Sequence, residues 1–205
     1  NLSVSVLNQM PTGRKRVKTW VVPKEKRKSA YAWIDKQLKE TRGQAFIVCP
    51  LIEESETLQT VKSAIKEYET LKGLVFPNFR LGLLHGRMKP QEKTKILDAF
   101  RSGDVDILVT TPVVEVGIDV PNATIMLIEA ADRFGLGQLH QLRGRVGRGI
   151  LDSCCLLFTQ HHPNGAGFTE DATIKRLKSL ETIYSGPQLA EVDLKLRGPG
   201  ELLGT

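Results

Sequence analysis

The sequence predicts an α/β fold in three layers, with helices on both faces of a mostly parallel sheet, followed by a C-terminal helical hairpin and loop. Three observations predict it. Five short runs, residues 45–49, 81–84, 106–110, 125–129 and 154–158, are almost continuously apolar. That is the pattern of strands covered on both faces rather than on one. Segments with helical spacing lie between several of these runs, and strand–helix alternation builds a parallel sheet. Beyond residue 167 the strand pattern stops and two helical segments follow one another.

In chain order, residues 1–22 are assigned to an interdomain linker that leads into a sheet domain at 23–160. Residues 26–40 read as its first helix. Leu58, Val61, Ile65 and Tyr68 step by three and four, as the apolar face of a second helix does. Ile96, Leu97 and Phe100 repeat the step after Pro90, a suitable first-turn residue, and Gly103 is a stop. Residues 161–167 form a linker to the last part, 161–205. There, 170–184 carries Ile174, Leu177, Leu180 and Tyr184 on one side, and Gly186-Pro187 breaks the helix. Residues 188–196 form a second helix and hence a hairpin. Arg197-Gly198-Pro199-Gly200 cannot continue it, so a loop follows.

At 205 residues the chain suffices for one good core. Its 40% hydrophobic and 25% charged residues are ordinary for a soluble protein. No run approaches the roughly 18 apolar residues of a membrane span, and no signal peptide is visible. The chain starts at Asn1 rather than Met, so a piece of a longer polypeptide is expected. The net charge of +6 is concentrated early, at Arg14, Lys15, Arg16 and Lys18 and again at Lys24, Lys26, Arg27 and Lys28. Such clusters suit a polyanion, although a solvated face is the plainer reading. Cys49, Cys154 and Cys155 sit in apolar runs, are odd in number and lack metal-ligand spacing. A reducing, cytoplasmic setting without a bound metal is expected.

The most informative stretch is Gln141-Leu142-Arg143-Gly144-Arg145-Val146-Gly147-Arg148. It falls where a helix is expected, yet it holds two glycines, each costing about 1 kcal/mol there relative to alanine. On a helix, Arg145 and Arg148 share one face, and Gly144 and Gly147 clear a neighbouring one. Paired guanidiniums on a trimmed helix suit a terminal phosphate. A basic helix that touches nucleic acid backbone or only solvent is the alternative. Open α/β sheets bind ligands at the carboxyl ends of their strands. Thr110 ends one strand and Thr111 follows it, with Gly117 and Asp119 beyond, and His85-Gly86-Arg87 follow another. Taken alone, Gly and Asp also favour turns, and His85 also suits a cap or a core.

Gln-x-x-Gly-Arg-x-Gly-Arg resembles the sixth motif of the superfamily 2 helicases. Read with residues 131–149, it resembles the RecG family of branched-DNA helicases and, less closely, the transcription-repair coupling factors. Residues 193–205 resemble the translocation motif that follows the RecG helicase core, and Gly198-Pro199-Gly200 favours RecG. Pro11-Thr12-Gly13-Arg14-Lys15 resembles RecG as well. Pro112 departs from the family, which more often has threonine there, and removes a backbone donor beside Thr111.

The resemblance implies a second RecA-like motor domain at 23–160 and a translocation motif at 161–205. It implies that Arg145 and Arg148 act as arginine fingers and that Gln141 couples nucleotide state to domain closure. It puts Gly117, Asp119 and Gly144 at the nucleotide, and His85, Gly86, Arg87, Thr110 and Thr111 on the DNA backbone. Arg197, Gly198 and Gly200 become coupling residues. ATP and Mg²⁺ are then held mainly by a first motor domain of the same polypeptide, because no Gly-x-x-x-x-Gly-Lys-Ser/Thr occurs here. The expected partners are branched DNA and that first domain, in a monomer without a membrane, at the nucleoid of a bacterial cytoplasm. The alternatives are a coupling-factor translocase and a non-catalytic module that binds nucleic acid or protein.

Overall fold

The computed structural model describes residues 15–50, 58–112, 120–159 and 168–197, with side chains over 172–196 in the last range. Six strands, β1 (Lys18–Val22), β2 (Gln44–Val48), β3 (Leu81–Leu84), β4 (Ile107–Thr110), β5 (Ala123–Ile128) and β6 (Cys154–Phe158), form one sheet. Their order is β1-β6-β5-β2-β4-β3, and every pairing is parallel. The helices are α1 (Arg27–Thr41), α2 (Leu58–Thr70), α3 (Pro90–Arg101), α4 (Leu136–Arg143), α5 (Phe168–Thr182) and α6 (Gly186–Arg197). This is the predicted α/β class. No helix among the described residues is long and apolar enough to cross a membrane.

The right-handed crossover rule explains the layers. The steps β1 to β2 and β2 to β3 move one way across the sheet, and later steps move back. One face therefore takes α1 and α2, which pack Ile34, Leu38 and Ala64, with Leu71 just after α2, on Ala45, Ile47, Ile125, Leu127 and Leu156. The other takes Phe100 of α3, Leu139 of α4, Leu177 and Leu180 of α5 and Leu189 of α6 over Phe46, Met126 and Leu157. Alternate residues of each central strand serve opposite faces, so the strands read as unbroken apolar runs.

The linker expected over residues 1–22 does not stop short of the sheet. Among the described residues, Lys18–Val22 forms the edge strand, paired only with β6, from Lys18 opposite Cys154 to Val22 opposite Phe158. With one neighbour and an exposed Lys18 and Trp20 it lacks the continuous apolar signature of the inner strands. Its free edge is not bare, because the Val21 N–H donates to Glu181 Oε1 of α5 at 2.9 Å. The hairpin is likewise not an appendage, since Leu177, Leu180 and Leu189 complete one face of the core. Gly186 and Pro187 open α6 rather than lie in the break, which falls at Ile183–Ser185. The face of α2 is rotated: Thr60, Val61 and Ala64 are buried, whereas Leu58 and Ile65 are exposed. The expected linker at 161–167 lies outside the described residues.

At the carboxyl end of β5, Ala130 takes φ 46° and ψ 52°. The left-handed region costs a non-glycine residue about 1–2 kcal/mol. Asparagine tolerates it without glycine's loss of unfolded-state restriction. Ala130→Asn is expected to raise stability by about 1 kcal/mol in urea unfolding. Unchanged or lower stability would show that this backbone is not strained.

Candidate functional site

All strands being parallel, the sheet has one carboxyl edge and one amino edge, and the predicted site residues divide between them. At the carboxyl edge, β3 runs into a turn in which the Met88 N–H donates to the His85 carbonyl at 3.2 Å. Lys93 Nζ donates to the Gly86 carbonyl, and Arg87 is exposed. His85 is half-buried, and its Nδ1 makes no hydrogen bond among the described residues. The start of α3 is not part of this turn, as Pro90 begins the helix and Glu92 accepts the Lys89 N–H at 3.0 Å. Next to it, Thr110 donates its hydroxyl to the Thr111 carbonyl at 3.0 Å. Thr111 is only 1% exposed, and its N–H donates to Leu84. Its hydroxyl reaches an outside phosphate only if its surroundings move. Gly117 and Asp119 lie outside the described residues.

A buried cluster also marks this edge. Glu129, just past β5, is 7% exposed, pairs with Arg27 and accepts the Tyr31 hydroxyl at 2.9 Å. Burial, opposed by the Arg27 charge, pushes the Tyr31 phenol up to about 12. The cluster fastens the start of α1 to the end of β5.

The sixth-motif residues lie elsewhere. Helix α4 ends at Arg143 with Gly144 as its cap, so Arg145 and Arg148 do not share a helical face. They follow in a turn at the amino edge. Gly147 there has φ 77°, and a Cβ on it would come within 2.8 Å of Val17. A Cβ on Gly149 would stand 2.5 Å from the Pro121 carbonyl oxygen, just before β5. Gly147 and Gly149 are therefore required by a left-handed turn and by close approach to neighbouring chain, whereas Gly144 ends α4 at φ −68°, a conformation open to any residue. Ligand-type residues thus occupy both edges rather than the carboxyl edge alone. Arg145 is half-buried and Arg148 exposed, and Gln141 is exposed on α4. The basic residues 15–18 run beside this turn, with Lys15 paired to Asp152 at 2.8 Å and Arg16 over the Tyr184 ring at 5.1 Å.

What fixes the turn is a residue the motif reading passed over. Arg143 is 3% exposed. Its guanidinium donates to the Leu180 carbonyl at 2.7 Å, the Ile183 carbonyl at 3.1 Å and His140 Nδ1 at 2.8 Å. It also lies over Tyr184, 4.9 Å from the ring centre. Leu180 and Ile183 stand at the C-terminus of α5, where carbonyls lack helical partners and a cation is favoured. Arg176 of α5 returns the contact, donating to the carbonyls of Phe134 at 2.8 Å and Asp132 at 2.8 Å, just before α4. Helix α4 is therefore pinned at both ends by buried arginines to the second half of α5, which runs parallel to it. Leu136, Leu139 and Arg143 recur at three and four and are all buried. That phase was the available signal that Arg143 points inward. Arg197 closes α6, and its side chain, Gly198 and Gly200 lie outside the described residues.

His140 accepts a bond from Arg143 only while Nδ1 is unprotonated. Burial, and next the Arg143 charge, hold its pKa below the ordinary 6.5. The unfolded chain takes up this proton near the ordinary value and the folded chain only below it. The contribution to stability is thus complete above about pH 6.5 and is lost as pH falls toward the folded-state value. From about pH 7 to about pH 5 the melting temperature is expected to fall further for the wild type than for His140→Gln, whose carboxamide oxygen accepts at either pH. Equal falls would remove His140 from the clamp.

Comparison with known proteins bears on the family and the fold. Residues 26–149 match the family described as the helicase conserved C-terminal domain. The ATP-dependent DNA helicase RecG of Synechocystis sp. is 48% identical over 205 residues, which is 100% of this chain and 24% of the relative. That of Thermotoga maritima is 48% identical over 204 residues, 100% of this chain and 25% of the relative. The chain thus spans about a quarter of the length of these curated relatives. A solved structure of RecG bound to a three-way DNA junction superposes with a TM-score of 0.73 and 44% identity, over 95% of this chain and 24% of that one. With more than half of its residues matched, the chain belongs to the helicase conserved C-terminal domain family.

Proposed function

We propose that the chain is the C-terminal motor half of an ATP-dependent DNA helicase that acts on branched DNA, at forks and junctions, in recombination and repair. The observation that carries this reading is the amino-edge turn, where Arg145 and Arg148 stand beside the basic residues 15–18 on backbone anchored by the buried Arg143. Likeness to RecG along the whole chain supports it, and a relative solved on a three-way junction supports branched DNA as substrate.

In this reading the two guanidiniums face a nucleotide held by a first motor domain of the same polypeptide, and Gly117, Asp119 and Gly144 border it. ATP with Mg²⁺ supplies the phosphoryl group whose transfer to water drives the motor. A pre-positioned arginine offers charge where negative charge develops, a role worth about 10³–10⁵ in rate. At the opposite edge, the His85-Gly86-Arg87 turn meets the DNA backbone, which positions without reading sequence. Thr110 and Thr111 join it once their cover moves. Helix α4, about 12 Å long, links the arginine turn to α5 and α6, so a shift at the turn is carried through Arg143 and Arg176 into the hairpin. Gln141 senses nucleotide state on the exposed side of α4. Arg197, Gly198 and Gly200 pass the movement to DNA. The polypeptide works as a monomer at the nucleoid of the cytoplasm, a setting that suits the three buried free thiols.

In the full-length enzyme, Arg148→Ala is expected to lower kcat for ATP hydrolysis by about 10³ or more while DNA affinity and melting temperature stay unchanged. A normal kcat with weakened DNA binding would make the arginines a backbone-binding patch and overturn the reading. Arg197→Ala is expected to keep ATP hydrolysis and lose strand separation, measured on a forked duplex. Loss of both activities together would contradict a transmission role for the tail.

A further inference from the structure

Both tryptophans of this chain stand outside the core. Trp20 of β1 is 42% exposed and Trp33 of α1 38% exposed. Their rings meet edge to face with centroids 6.2 Å apart. They wall a groove of about 430 Å³ between the edge strand and α1, with Val22 and Leu156 as apolar floor and Ala30 and Lys26 along the side. Folding accounts for the floor but not for two indoles left half in water, the residue type most enriched where something docks. The groove lies on the α1 face of the sheet, away from α4, α5 and α6.

The rim says what docks. Lys18 precedes Trp20 by two residues on β1 and so shares its face. Lys26 lines the other end of the groove, and Lys24 and Lys28, two residues to either side of it in sequence, are exposed. On the same turn the one exposed carboxylate is Glu25, and further along α1 Asp35 and Glu40 pair with Lys39 and Lys36. Cation, aromatic pair and cation thus follow one another along the groove. An apolar protein segment has no use for the lysines, and a duplex keeps its base faces stacked inside. Unpaired bases fit both features, because every base has a face to stack on indole and every phosphate a charge for lysine.

We propose that this groove is a second nucleic-acid site, which stacks bases of single-stranded DNA on Trp20 and Trp33 while Lys18 and Lys26 hold the phosphates. The proposal rests on the DNA-motor reading for the source of the strand. It adds a place where a separated strand is held, which begins at Lys18 beside the arginine turn, runs along the α1 face, and lies across the sheet from the His85 turn.

Since the only two tryptophans line the groove, intrinsic tryptophan emission reads it directly. Titrating the chain with oligothymidylate of about 12 nucleotides is expected to quench the emission to a plateau, at a midpoint that rises steeply with salt. A blunt duplex of equal length should quench little. With a dye-labelled oligonucleotide followed by anisotropy, Trp33→Leu is expected to weaken binding about tenfold and Trp33→Phe to restore most of it. Lys26→Gln should reduce the salt slope by about 1. Unchanged emission on saturation with oligothymidylate, or Trp33→Leu binding as tightly as the wild type, would overturn the proposal and leave the groove to an apolar protein segment. Either failure, beside a lost kcat in Arg148→Ala, would leave the motor reading standing.

Discussion

A charged guanidinium buried with no paired carboxylate among the described residues is the interaction on which the functional end of this molecule depends. Burial of Arg143 disfavours its charge and lowers its pKa, yet arginine stays protonated in proteins. The cost is offset by two carbonyls at the C-terminus of α5, by neutral His140 and by the face of Tyr184. Each of these groups is also in need of a partner. Without Arg143 the Leu180 and Ile183 carbonyls lose their donor, at about 1–3 kcal/mol for each that stays buried. A methionine of similar length fills the space but satisfies none of them.

The arrangement has a mechanical consequence. Arg143 is the last residue of α4, and the turn with Arg145 and Arg148 begins after its Gly144 cap. Whatever orients Arg143 orients that turn. Arg176 performs the same service for the backbone before α4, and its guanidinium also approaches Asp193 of α6 at 3.7 Å. Amino-edge turn, carboxyl-edge loop and hairpin are therefore parts of one polar lattice set into an apolar layer. Packed layers have few intermediate arrangements, so such a lattice moves as a unit.

The inner sheet was legible in the sequence because β2, β4, β5 and β6 are covered on both faces and read as unbroken apolar runs. The edge strand was not, since Trp20 and Lys18 face water and lysines flank it. The phase of α2 was missed for a related reason: its buried face is built from Thr60, Val61 and Ala64, whose small side chains fit under the helix and give a weak apolar signal. At the site, residue identities were legible and their setting was not. Gly144 and Gly147 suggested close packing on a helix, whereas they end one and turn the chain. Arginines suggested ligands, and two of the most constrained, Arg143 and Arg176, hold protein instead. A side chain's hydrogen-bond partners depend on what the fold brings to it, and carbonyls about 40 residues away leave no local trace.

Amide hydrogen exchange of the wild type and of Arg143→Met tests the clamp most directly. Exchange of the last turn of α4, of Arg145 and Val146, and of α5 from Leu177 to Ile183 is expected to accelerate together and by a similar factor. Amides of α1 and α2, on the opposite face of the sheet, should keep their wild-type rates. If the C-terminal turn of α5 opens alone while α4 and Arg145 stay protected, the arginine turn is held by something other than Arg143, and the link between the two ends of this site fails.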